Sequence, residues 1–126
     1  MAKILFCEDD AVLRKLISIS MRHSEHEVYI AADGMEGLAI IEHERPDFIF
    51  TDIKMPRCDG FQLAIIIKKR PHLAHIPIIF MTGFSDQTII EEVYRHHGAD
   101  YLIKPIDLDS VLARIKAFVD IDKHDQ

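Results

Sequence analysis

Lys3–Asp10 reads KILFCEDD, a short apolar run without helical period that ends in three consecutive carboxylates. A run of this length, rich in Ile, Leu and Phe and stopped by polar residues, predicts a strand buried on both faces. The same pattern recurs at Val28–Ala31 (VYIA), Phe48–Thr51 (FIFT), Ile78–Met81 (IIFM) and Tyr101–Ile103 (YLI). Helix-length segments with 3.6-residue period lie between and after these runs, at about Ala11–His23, Met35–Glu44, Gly60–Arg70, Asp86–His97 and Leu108–Asp120. The punctuation agrees: Asp33-Gly34 turns the chain into the second helix, Pro71 stops the third, and Gly98 stands where a helix C-cap is expected. Strict βαβα alternation predicts a parallel sheet with right-handed crossovers and helices on both faces, a three-layer α/β domain. The polar stretch after Asp120 (IDKHDQ) is expected to fray.

Composition bounds the function. The 126 residues suit one domain, and 48% apolar with 29% charged residues is ordinary for a chain with a real core. No apolar run approaches the ~18 residues of a membrane span, and MAKILFCEDD lacks the apolar h-region of a signal peptide. The two cysteines, Cys7 and Cys58, have neither metal-site nor disulfide-framework spacing, so they read as reduced thiols in a cytoplasmic protein. Cys7 is expected in the core and Cys58, after the third run, to be more accessible. A net charge of −6, from 21 acidic and 15 basic residues, disfavours direct nucleic-acid binding by this domain.

In a parallel sheet of this kind, ligands bind beyond the carboxyl ends of the strands. The first run ends in Glu8-Asp9-Asp10, the third in Asp52 and the fourth in Thr82, and Lys104-Pro105 follows the fifth. Several carboxylates, one hydroxyl and one ammonium therefore gather at one sheet edge. Such carboxylates repel one another unless a cation offsets them, and an all-oxygen donor set without His or Cys suits Mg²⁺. Lys104 is placed to pair with Asp52 or with a phosphoryl oxygen on it, and Thr82 offers a hydroxyl donor to the same oxygens. The plainer alternative makes Glu8–Asp10 a helix cap and Asp52 a loop residue; four coinciding strand ends argue against it.

Four pieces in order, ILFCEDD (residues 4–10), TDIKMPRCDG (51–60), IIFMTG (78–83) and YLIKP (101–105), make the chain resemble the receiver domain of two-component response regulators. The likeness runs over about residues 3–119 and implies a flavodoxin-like (βα)5 sandwich with strand order 2-1-3-4-5. It places the whole chain, 1–126, in a single receiver domain, with 120–126 as a polar tail. By resemblance, Asp52 is the phosphoacceptor, and Asp9, Glu8 (through water) and the Lys54 backbone carbonyl join it around Mg²⁺. Thr82 and Lys104 match the family's hydroxyl and lysine, Tyr101 its aromatic switch position, and Lys104-Pro105 its cis peptide. The implied activity is that of a signalling switch rather than an enzyme acting on separate substrates. It would catalyse its own phosphorylation and dephosphorylation, with a sensor histidine kinase or histidine phosphotransfer protein as donor and a downstream protein as target. A stand-alone receiver and a receiver cut from a longer chain both fit.

Two rival classes share the fold. An aspartate-nucleophile, Mg²⁺-dependent phosphohydrolase would use Glu8-x-Asp10, but a Glu stands first and no Thr follows in register. A flavin or nucleotide binder needs a Gly- or Ser/Thr-rich phosphate loop where this chain has acids. The eight histidines lack zinc-site spacing, and His96-His97 suit the end of a helix dipole. On the third helix, Gly60, Leu63, Ala64 and Ile67 form the stripe expected to face the sheet. Phe61 and Ile65 lie mainly off it beside Lys68 and Lys69, as a small contact patch for a kinase, a target or a second copy in a phosphorylation-dependent homodimer, or simply as isolated surface residues.

Overall fold

The computed structural model describes residues 1–83 and 87–124, with 120–124 as backbone only. Five strands, β1 (Lys3–Cys7), β2 (Glu27–Ala31), β3 (Phe48–Asp52), β4 (Ile78–Thr82) and β5 (Asp100–Ile103), alternate with α1 (Ala11–Met21), α2 (Gly34–Glu44), α3 (Gly60–Lys68), α4 (Gln87–Arg95) and α5 (Leu108–His124). The strands form one parallel sheet in the order β2-β1-β3-β4-β5. The expected α/β flavodoxin-like arrangement is therefore present.

Strand alternation divides the core. On one face Ile4, Phe6, Phe48, Phe50, Ile79, Met81 and Leu102 pack against Ile17 and Met21 of α1 and Val111 and Ile115 of α5. The Phe6 and Phe50 rings stack there at 5.1 Å. On the other, Leu5, Cys7, Ile49, Ile78 and Phe80 meet Ile41 of α2, Val93 of α4 and the α3 stripe of Leu63, Ala64 and Ile67. Burial of both faces holds for β3 and β4 throughout and nearly so for β1, but not for β2 and β5. Those two are the sheet edges, and their half-exposed residues correct the uniform burial expected for all five runs.

Helix ends also depart from expectation in informative ways. α4 closes with His97 in the left-handed region (φ 64°), with His97 N–H donating to the Tyr94 carbonyl (3.2 Å) and Gly98 N–H to the Val93 carbonyl (2.8 Å). This is a Schellman closure whose left-handed residue is His97, not Gly98. Gly98 is needed for space: a Cβ there would lie 2.6 Å from Val93 Cγ1 and 2.8 Å from the Phe80 ring. The backbone of α5 stays helical through His124, beyond the Asp120 end expected, while 125–126, like the Asp86 start expected for α4, lie outside the described residues.

The off-stripe residues of α3 split. Ile65 is exposed, but Phe61 sits edge-on to Phe80 (5.1 Å) and stacks on His96 (4.1 Å), bridging α3 to α4. Lys68 turns back to donate to the carbonyls of Ala74 (2.8 Å) and Ile76 (3.2 Å). The expected Phe61–Ile65 patch is thus reduced to Ile65. His96 is occupied by that stack and by the Glu92 carbonyl at 2.8 Å. Both cysteines are free and buried, so Cys58 is not the accessible thiol expected. Burial pushes the Cys7 thiol up to about 12, as suits a core filler.

Candidate metal and phosphoryl site

Register assembles the site. Cys7 pairs with Thr51 across β1 and β3, so Glu8 and Asp52, the next residues, emerge side by side. Thr82 pairs with Ile103 across β4 and β5, and the Lys104 amide donates to the Thr82 carbonyl at 2.7 Å. Short-range pairing at the ends of four strands thereby brings together residues nearly a hundred positions apart.

The three acids after β1 have different fates. Asp10 caps α1, its Oδ1 accepting from Val12 N–H (2.8 Å) and Leu13 N–H (3.1 Å). Asp10 is thus an exposed helix cap that stands apart from the cluster of Glu8, Asp9 and Asp52. Glu8 and Asp52 are buried, Asp9 is exposed, and one carboxylate oxygen from each lies within 4.8 Å of the others. The Asp9 amide donates to Asp52 Oδ2 at 3.3 Å and the Asp10 amide to Glu8 Oε2 at 3.1 Å. Arg14 braces the turn below by donating to the carbonyls of Glu8 (3.0 Å) and Asp9 (2.9 Å).

Lys104 closes the other side. Its Nζ lies 2.7 Å from Glu8 Oε1 and forms a second ion pair with Asp52 Oδ1. The Lys104-Pro105 bond is cis, as the resemblance implies. A cleft of about 220 Å³ opens over the group, lined among others by Asp52, Lys54, Thr82, Gly83 and Lys104. Thr82 is buried at its edge, and Tyr101, half-buried, packs against the α2–α4 side of the core.

Charge here is unbalanced: three carboxylates face one ammonium. Burial, and next the hydrogen bond with Glu8, push the Asp52 carboxyl up to about 8, only partly offset by Lys104. For Glu8, burial is outweighed by its bonds with Asp52 and Lys104, which hold its carboxyl below the usual range. The two titrate as a pair, in which burial makes a proton on Asp52 easier to keep than on a free carboxyl. An all-oxygen donor set with surplus negative charge, beside an open cleft, fits a hard divalent cation.

The sequence reading missed a contact beside this site. Arg57 donates through Nε (3.1 Å) and its terminal nitrogen to Asp33 Oδ2, tying the loop after β3 to the start of α2. Nothing in local sequence pairs two residues 24 positions apart, so only the assembled fold reveals it.

Comparison with known proteins agrees with this geometry. The response regulator receiver domain family matches residues 4–116. The DNA-binding dual master transcriptional regulator RpaA of Synechocystis sp. is 30% identical over 119 residues, covering 94% of this chain and 49% of that protein. The chain thus spans about half the length of the curated relatives it matches. The Vibrio cholerae chemotaxis protein CheY4 superposes with a TM-score of 0.85 at 27% identity, covering 93% of this chain and 98% of that one. The Mn²⁺-bound form of response regulator Rcp1 follows at TM-score 0.72 and 26% identity, covering 93% and 91%. Among the described residues, no helix is long and apolar enough to cross a membrane.

Proposed function

Because this chain belongs to the response regulator receiver domain family, the phosphorylation-activated switches of two-component signalling, we propose that Asp52 is its phosphoacceptor. The observation that carries this assignment is a buried carboxylate at the end of β3, paired with Lys104 and opening onto the cleft. Glu8, Asp9, Asp52 and the Lys54 backbone carbonyl would hold Mg²⁺, Glu8 through water. Bound there, the ion supplies charge neutralisation to the transferring phosphoryl group.

The chain's own residues do the rest. Asp52 must be ionised for its oxygen to form the new bond to phosphorus as the donor's bond breaks and the leaving group departs with that electron pair. Lys104 offsets charge on the phosphoryl oxygens from a fixed position, and the strand ends hold Asp52 without reorganisation. Water entering the same cleft can later hydrolyse the aspartyl phosphate, so both loading and loss are self-catalysed. In this reading residues 1–126 are one cytoplasmic receiver unit, supplied by a histidine kinase or phosphotransfer protein and signalling to a protein target. The acidic balance disfavours nucleic-acid contact by this unit only; it says nothing of any longer protein, and RpaA bears a DNA-binding name.

Acetyl phosphate with Mg²⁺ should load one phosphoryl group per chain, seen by intact mass, and Asp52→Asn should load none. Labelling that persists in Asp52→Asn, or that ignores chelation of Mg²⁺, would refute the assignment.

Thr82 and Tyr101 carry the proposed response. A phosphoryl group on Asp52 adds acceptor oxygens beside the cleft edge where Thr82 sits, drawing its hydroxyl inward and making room for Tyr101. Tyr101 faces Phe80 across β4 and β5, so the change would reach the surface of α4, β5 and α5. Thr82→Ala should still accept phosphate but show at most about half of the wild-type change in amide chemical shifts on α4 and β5. A full wild-type response in that variant would break the coupling.

A further inference from the structure

Among the described residues, positive φ at a non-glycine occurs at Arg45, His97 and Arg57. The first two end α2 and α4, where a left-handed residue is ordinary. Arg57 (φ 67°) ends no helix; it lies midway along the loop from Asp52 to α3. An arginine held there against the steric preference of an L-residue needs compensation.

Its compensation is on α2. The Arg57 guanidinium grips Asp33 Oδ2 through two nitrogens, while Asp33 Oδ1 caps α2 by accepting from Glu36 N–H at 2.9 Å. The Asp33 side chain is 10% exposed, so the pair is anchored in the protein at its acidic end. The next residue is seated too: a Cβ on Gly34 would lie 2.1 Å from the Cys58 carbonyl oxygen, so loop and helix start meet backbone to backbone. At the loop's other end, Gly60 N–H donates to the Ile53 carbonyl at 2.8 Å. Lys54, itself exposed, lies between these fastenings.

We propose that the Arg57–Asp33 pair is a latch that positions the loop bearing the Lys54 carbonyl and thereby sets the affinity of the acidic site for a divalent cation. This rests on the reading of Lys54 as a ligand. Arg57 touches neither Asp52 nor any other carboxylate of the site; it acts as a positioning residue, through the backbone it holds.

Two variants separate the latch from general stability. Asp33→Asn keeps an oxygen to cap α2 but loses the charge, and Arg57→Gly keeps the left-handed backbone but loses the guanidinium. Mg²⁺ titration of the whole chain, followed by amide chemical shifts, should show each weakening the affinity about three- to tenfold. That is less than loss of a buried partner of a ligand, because Arg57 is exposed and screened. The double variant should be no weaker than the weaker-binding single, since both remove one contact. The metal-free proteins should exchange the amides of residues 53–59 faster than wild type. Phosphorylation by acetyl phosphate should need more Mg²⁺ for half its maximal rate, with that maximal rate unchanged. Wild-type Mg²⁺ affinity and loop protection in either folded variant would overturn the latch. Failure of the wild-type chain to bind Mg²⁺ at all would instead overturn the site reading, and the latch's role with it.

Discussion

Asp52→Asn should make the metal-free protein more stable at pH 8, by about 1–3 kcal/mol, although it abolishes the proposed chemistry. In the wild type two buried carboxyls, Glu8 and Asp52, contend for one ammonium. An asparagine keeps the shape and leaves a balanced Glu8–Lys104 pair. The sign of the pH dependence follows from the shift. Between the ordinary value of 3.8 and about 8, the native state holds a proton on Asp52 that the unfolded chain has lost. Stability must therefore fall as pH rises through that window and level off above it. The variant lacks this slope, so its advantage should be near zero around pH 4 and full at pH 8. Glu8 acts with opposite sign and only in acid: its depressed carboxyl contributes stability that disappears as pH falls below its ordinary range. Thermal melts in chelator at pH 5 and pH 8 test this, at roughly 3–5 °C per kcal/mol for a chain of this size. Mg²⁺ should reverse the order by stabilising only the wild type. A variant that melts below wild type in chelator at pH 8 would show that the site is not strained by its own charge.

Removing the cation should do the opposite. Burial disfavours the charged form of Lys104, but Asp52 and Glu8 outweigh it and hold the ammonium above its ordinary range, so it stays charged throughout this window. Lys104→Met keeps the stem and strands both carboxyls, at a cost of about 2–4 kcal/mol at pH 8 in the absence of metal. The cost should be smaller at pH 5, where the pair already holds a proton, than at pH 8. Initial rates of phosphorylation should fall by about 10²-fold or more, since a fixed positive charge aimed at the phosphoryl oxygens is lost. Urea melts and acetyl phosphate rates measure the two losses separately. Wild-type rates in a folded Lys104→Met protein would remove Lys104 from the mechanism.

How far the sequence could be read depends on where each residue's neighbours come from. The order and type of all ten elements were legible because periodicity is local and the segments alternate without exception. The 2-1-3-4-5 order was not: it came from family resemblance, since no local pattern says which strands pair. Residues at strand ends could be nominated for the site because the fold class dictates which ends carry function. Which of the three acids after β1 is a mere cap was open until Asp10 met its helix amides. The misreadings share one cause. Cys58, Phe61 and the exposed faces of β2 and β5 were judged by their own segments, whereas α2, His96 and the sheet edges decide them. Gly98 is a special position, as its place after α4 suggests, but the reason is crowding against Val93 and Phe80 and not backbone conformation.

The two glycines that flank Asp52 in space give the site an uneven compliance. At Gly60 there is no slack: a single methyl would come within 2.1 Å of the Asp52 carbonyl oxygen, so the head of α3 rests directly on the backbone of Asp52. At Gly83 a methyl would meet nothing within 4 Å. The space beneath Asp52 is therefore filled, while the cleft beside Gly83 has room. A group attached to Asp52 should accordingly be accommodated at the Gly83 end of β4, with the head of α3 keeping its place.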